Sequence, residues 1–172
     1  FTIKNGTMTS TGNSANTWNA WDLRFSNCNY VFEDVVFEKA IALDNAGKNA
    51  ELKNVTINET HDYYAMWITA EGQNVNIDGL TINNSAGRGI KIDEQYVDTP
   101  AKVTLNVVNA TFKTAKKAAI LVKSAAGADI NVTAIDITNV AADKTNAVWV
   151  DQDSAAHFDK VKVTGANCIQ EL

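Results

Sequence analysis

One short phrase recurs seven times along the 172-residue chain, and that repeat limits the fold more tightly than any other feature. Its clearest copy is AELKNVTINETHDYYAMWI, from Ala50 to Ile68. An apolar pair (Ala50, Leu52) leads to a polar bend residue (Asn54) and a second pair (Val55, Ile57). A polar loop then separates these from a third pair (Met66, Ile68). Aligned on the phrase, first pairs fall at Phe1/Ile3, Tyr30/Phe32, Ala50/Leu52, Val75/Ile77, Val103/Leu105, Ile130/Val132 and Ala156/Phe158. The second strand ends at Met8, Phe37, Ile57, Ile82, Phe112, Ile137 and Val163, five positions after the first pair closes. The fifth copy is the exception, where Val107 and Val108 add two residues and a bulge is expected. The third strand carries Trp21/Leu23, Ile41/Leu43, Met66/Ile68, Ile90/Ile92, Ile120/Val122, Val148/Val150 and a frayed Ile169.

Period-2 alternation of this kind means half-buried strands with one face inward. No copy could bury its apolar side alone, so the copies must stack around a shared core. The sequence predicts an all-β solenoid of about seven coils with three short strands in each. Ile57, Ile82, Ile92, Val122, Ile137 and Val150 are expected inside. The bend position holds Asn5, Asp34, Asn54, Gly79 and Asn109, residues that tolerate a left-handed backbone. Ala134 and Lys160 take that place in the last two copies and interrupt the expected ladder of side chains.

The pattern resembles the right-handed parallel β-helix of the pectin-lyase-like superfamily over nearly the whole chain. The hand comes from that resemblance and from the chirality of parallel crossovers. The resemblance implies a bacterial, adhesin-like member that is secreted or displayed at the cell surface. Residues 1–172 read as one β-helix domain, and as a piece of a longer chain because Phe1 already lies inside a strand pattern. No amphipathic cap is visible at either end, so flanking domains or end-to-end contacts between copies are expected to cover at least one of them.

A net charge of −5 argues against a nucleic-acid partner, which would call for a basic stripe. No apolar run approaches the roughly 20 residues of a membrane span, so insertion into a membrane is not expected. Cys28 and Cys168 lie about five coils apart, some 24 Å at the strand spacing, whereas a disulfide needs Cα atoms within about 7 Å. Both are expected as free thiols.

Candidate functional residues gather on the outer face of the third strand and the loops beside it. Function concentrates on variable loops held by a rigid scaffold. Trp67, Lys91, Leu121 and Trp149 form one outward column, with Tyr63, Tyr64, His61 and Arg88 beside it. Exposed aromatics among polar groups suit sugar rings, which stack on indoles while their hydroxyls take hydrogen bonds. The reading is therefore a non-catalytic module that binds a polysaccharide or glycan surface through Trp67, Trp149, Lys91, Tyr63, Tyr64 and Arg88. The competing reading has Trp67 and Trp149 covered by the loop DEQYVDTPAK (Asp93 to Lys102) or by a neighbouring domain. A second column, Arg24, Asp44, Thr69, Asp93, Lys123 and Asp151, reads as a surface ion ladder of small energetic worth.

Enzymatic alternatives have weaker support. Polygalacturonase-like members resemble one another through Asn-Thr-Asp, Asp-Asp, Gly-His-Gly and Arg-x-Lys motifs. The first three are missing here, and Arg88-Gly89-Ile90-Lys91 has one residue too many for the last. A lyase-like reading would use Lys91 or Arg88 as base near Asp93, Glu94 and Asp151, with calcium; no other cofactor or metal is expected. His61 and His157 lack metal-ligand spacing. The third reading is a structural stalk. An ice-binding face would need unbroken outward Thr rows, and Val36, Asp136 and Lys162 interrupt the row Thr56, Thr81, Thr111.

Overall fold

Every copy of the phrase turns its corner at a residue in the left-handed region. Asn5, Asp34, Asn54, Gly79, Asn109, Ala134 and Lys160 have φ of 55°, 55°, 50°, 79°, 57°, 57° and 52°. Those seven corners are the bend positions read from the sequence, Ala134 and Lys160 included. Each lets one strand change direction while its pairing with the next copy resumes in the same register beyond the corner. At Gly79 an added Cβ would sit 3.3 Å from the backbone of Asn54 in the copy before.

The computed structural model describes residues 1–9, 23–44, 46–60, 64–138 and 147–164. Within them the chain is all-β. The bent strands are β1 (Thr2–Met8), β3 (Tyr30–Phe37), β5 (Asn49–Thr60), β7 (Asn74–Ser85), β9 (Val103–Phe112), β11 (Ala128–Thr138) and β13 (Ala155–Thr164). They alternate with straight strands β2 (Leu23–Ser26), β4 (Ile41–Asp44), β6 (Tyr64–Thr69), β8 (Arg88–Asp93), β10 (Ile120–Lys123) and β12 (Val148–Val150). The bent strands pair in parallel as a seven-stranded sheet in sequence order, and the straight ones as a parallel six-stranded sheet. The first and second strands of the phrase are thus the two arms of one bent strand. Two such sheets, with no closed barrel among the described residues, are compatible with the β-solenoid expected.

Two registers differ from the sequence reading. Val75 and Ile77 pair with Leu105 and Val107, which in turn face Ile130 and Val132. The first pair of the fifth copy is therefore Leu105/Val107, the strand carries no bulge there, and five positions separate Val107 from Phe112 as in every other copy. Val103 is one more inward residue that lengthens β9 at its start. In the first copy Leu23 and Phe25 face Ile41 and Leu43, so the inward pair is Leu23/Phe25, two residues later than expected. Trp21 and Ile169 lie outside the described residues.

Inward side chains of the two sheets merge into one core. Ile57, Ile82, Ile92, Val122 and Ile137 are fully buried, and Val150 is half-buried against them on the outermost straight strand. Burying each such side chain contributes about 1.5–3 kcal/mol. In the second copy the core is aromatic: Phe32 lies 4.9 Å from Phe25 and 5.3 Å from Phe37, centroid to centroid, with Tyr30 stacked on it at 5.8 Å. Gly89 opens β8 where no larger residue fits, because a Cβ there would come within 2.4 Å of both the Phe112 ring and the Ala119 carbonyl.

The outer face of the bent sheet carries side-chain ladders between copies. Asn131 donates to Asn106 (3.0 Å), Asn106 to Asn76 (2.8 Å) and Asn76 to Glu51 (3.2 Å). Beyond the corner, Asn83 donates to Asn58 (2.6 Å) and Asn58 to Glu38 (3.0 Å). At the corner itself Asn54 donates to Asp34 (2.6 Å), and Asn109 reaches past Gly79 to Asp78 (3.3 Å).

Candidate functional site

The straight strands set the outer strip by register alone. Trp67 faces Lys91, Lys91 faces Leu121, and Leu121 faces Trp149. The strip is not uniformly open, however. Trp67 keeps only 3% of its surface exposed and forms a second small cluster, outside the sheet, with Ala40, Ala42 and Tyr64. The expectation of an exposed indole at this position is therefore corrected. Burial follows from packing against the small Ala40 and Ala42 of the preceding copy and from the loop after β8.

That loop supplies the covering groups. Tyr96 packs edge-on against Trp67 at a centroid distance of 6.4 Å, and Asp93 accepts a 2.7 Å hydrogen bond from the indole Nε1. Lys91 is 7% exposed, with its Nζ 2.5 Å from Asp93, 3.2 Å from the Gln95 side-chain oxygen and 5.2 Å from the Trp67 ring. A desolvated ammonium over an indole gains about 2 kcal/mol, and the carboxylate offsets what remains of its desolvation. The far end of the loop is tied to the copy before by Ala101 N–H donating to Ala70 (2.8 Å) and Gly72 N–H to Ala101 (3.1 Å).

What projects from this assembly is Tyr96. It has φ of 67° and is 75% exposed. A bulky residue at positive φ is an outlier that persists only when its surroundings impose it. Here the turn closed by Val97 N–H on the Glu94 carbonyl (3.0 Å) and the Trp67 ring beneath impose it. Trp149, 37% exposed, is the other open aromatic of the strip. Arg88 pairs with Tyr64 across the strand ends, and its Nε is buried without a hydrogen-bond acceptor among the described residues. Tyr63 and His61 lie outside the described residues. Sequence reasoning passed over Tyr96 and Gln95, although both sit in the one long loop of an otherwise constant gap.

The ion column is corrected at both ends. Register puts Ser26, not Arg24, beside Asp44. Asp93 pairs with Lys91, while Asp151 accepts from Ser124 N–H and the Ser154 hydroxyl, so no Asp93–Lys123–Asp151 ladder forms among the described residues. Arg24 Nε donates to Asp44 at 2.6 Å although the two are not cross-strand partners, and Lys123 faces Asp93. Beside Arg24 and Asp44, Thr69 donates to Glu71 (2.6 Å) and Gln73 to Thr69 (2.8 Å). Burial pushes the Glu71 carboxyl above the ordinary carboxylate range and the nearby Asp44 adds to it, against the opposing pull of the Thr69 hydroxyl and Arg24. Among the described residues no group of three or more His, Cys, Asp or Glu is arranged to hold a metal ion. Among the described residues no helix is long and apolar enough to cross a membrane. No family model, curated protein or solved structure matches the chain.

Proposed function

We propose that the chain is a right-handed, three-strand-per-coil β-helix of the pectin-lyase-like kind, secreted or at a cell surface, and that it binds carbohydrate without catalysis. The observation that carries this reading is Tyr96, an exposed aromatic held at positive φ over a buried Trp67–Lys91–Asp93 cluster. A rigid aromatic face costs little side-chain entropy on binding, which suits weakly hydrated sugar faces. Trp149 adds a second aromatic about two strand spacings, roughly 10 Å, from the Lys91 position. In this reading Tyr96 and Trp149 touch the ligand, and Trp67, Lys91 and Tyr64 support the strip.

A glycan array probed with wild type, Tyr96→Ala and Trp149→Ala tests the reading. Tyr96→Ala should leave stability within about 0.5 kcal/mol, as for an exposed side chain, and lose binding. Absence of any glycan binding by wild type would favour a stalk. The lyase alternative is favoured only by Lys91 lying close to Asp93, and there the ammonium is already engaged by Asp93 and Gln95. Incubation with polygalacturonate and calcium, reading unsaturated product, decides it.

A further inference from the structure

The outer face of the bent sheet carries a second feature that the aromatic strip does not explain. Two depressions, of about 190 and 380 Å³, lie on that face, the first reaching Asn106 and the second Asn131, which face each other in neighbouring strands. The ladder Glu51, Asn76, Asn106, Asn131 links them: its first three residues line the first depression and Asn131 lines the second. A carboxamide has two N–H donors and two acceptor lone pairs. The ladder consumes one donor on each Asn, and one acceptor on Asn76 and Asn106. At least one donor and one acceptor per rung are left for a ligand, repeating at about 4.8 Å along the stacking axis.

Val108 stands beside this row, 40% exposed, one of the few large apolar side chains on the surface and itself part of the depression wall. An amide edge next to an apolar spot is what a sugar ring requires, hydroxyls to the amide and C–H face to the valine. Charge narrows the ligand further. Glu51, Asp78 and Asp129 line the two depressions against Lys53 and His157, and Lys102 beside them is already 2.7 Å from Asp129. A polyanion gains nothing there. A peptide strand advances about 3.3 Å per residue and drifts out of step with the rungs, whereas an extended polysaccharide advances by close to one strand spacing per ring.

We propose that this face binds a neutral polysaccharide laid along the stacking axis, one ring per rung over Asn76, Asn106 and Asn131, with Val108 against a ring face. The site is independent of Tyr96 and Trp149 and stands or falls apart from them.

Cellohexaose, mannohexaose and chitohexaose, titrated separately into the isotope-labelled full chain, test it by the side-chain amide resonances. At least one should move the Asn76, Asn106 and Asn131 signals, and Asn106→Ala should weaken that binding by about tenfold. Val108→Asp, which leaves the ladder intact, should weaken it comparably and guards against a folding artefact. The proposal is overturned if none of the three moves those signals or if shifts are confined to Tyr96 and Trp149. It is equally overturned if both variants bind as wild type, or if trigalacturonate binds the same face more tightly.

Discussion

Exchanging alanine and glycine at two corners should change stability in opposite directions. Ala134 and Gly79 occupy equivalent places in the sixth and fourth copies, with φ of 57° and 79°. A side chain with a Cβ in the left-handed region costs about 1–2 kcal/mol. Glycine removes that strain but gives the unfolded chain more freedom, worth about 0.4–1 kcal/mol in the other direction. Ala134→Gly should therefore stabilise by about 0.8 kcal/mol, raising Tm by about 2–3 °C for a chain of this size. Gly79→Ala should destabilise by about the same, or more, because its new Cβ would press on Asn54 at 3.3 Å. Ala134→Asn should exceed Ala134→Gly, since Asn109 stands at the same corner one copy earlier and offers an amide partner, for about 1 kcal/mol more. Urea melts followed by far-UV circular dichroism measure all three. Glycine inside an ordinary strand costs about 0.5–1 kcal/mol. An Ala134→Gly chain less stable than wild type by that amount would refute the corner as a strained left-handed position.

Three further outcomes follow from separate parts of the molecule. Glu71 has a raised pKa when folded, so its ionisation opposes folding: its stabilising effect is complete in acid and lost as pH rises through the folded pKa. Glu71→Gln should be more stable than wild type at pH 7, with the gap closing below about pH 4, the ordinary range for Glu; a gap that widened in acid would contradict the cause given. Titration of unfolded, unreduced protein should find two thiols per chain, Cys28 being free and half-buried and Cys168 lying outside the described residues; two absent thiols without a dimer on a non-reducing gel would mean an intramolecular bond and a wrong stack. Finally, β1 and β13 bound the bent sheet, and adding β1 of a second copy beyond β13 in the same register would set Gly6 against Val161 and Lys4 against Asp159. Sedimentation velocity should show concentration-dependent association of this chain, suppressed by Val161→Lys; a monomer at every concentration would contradict it.

The corners were legible because a left-handed residue leaves a chemical signature, Asn, Asp or Gly, strong enough to align the copies that lack it. The register of β9 was not. Val103, Leu105 and Val107 all point inward, and a slip of two residues keeps every side chain on its face, so alternation alone cannot choose between neighbouring pairs. The deciding quantity is the distance to Asn109, set by hydrogen bonds to both adjacent strands. Leu23 and Phe25 were displaced from Trp21 and Leu23 for the same reason. Trp67 shows a different limit: period 2 assigns a side chain to the outer face but carries no information about a loop that folds over it. Tyr96 could have been found only by asking why one gap, and no other, is long.

The side-chain ladders also have a sense. In five runs the amide nitrogen of the later copy donates to the earlier copy; four of them stop at a carboxylate, Glu51, Glu38, Asp34 or Asp78, and the fifth, Asn74 to Asn49, stops at an amide. An ionised carboxylate only accepts, so it dictates which way the first amide is turned, and each amide dictates the next. The acids thus act as anchors that polarise the whole row. At the opposite end the row finishes on an oxygen, and in one run that oxygen, Asn83 Oδ1, is buried without a donor among the described residues. Like a magnet built from aligned parts, the stack has two unlike poles. An acid placed within a run would end it there, as Asp78 does in the fourth copy, so the order of the copies sets where each row begins and stops.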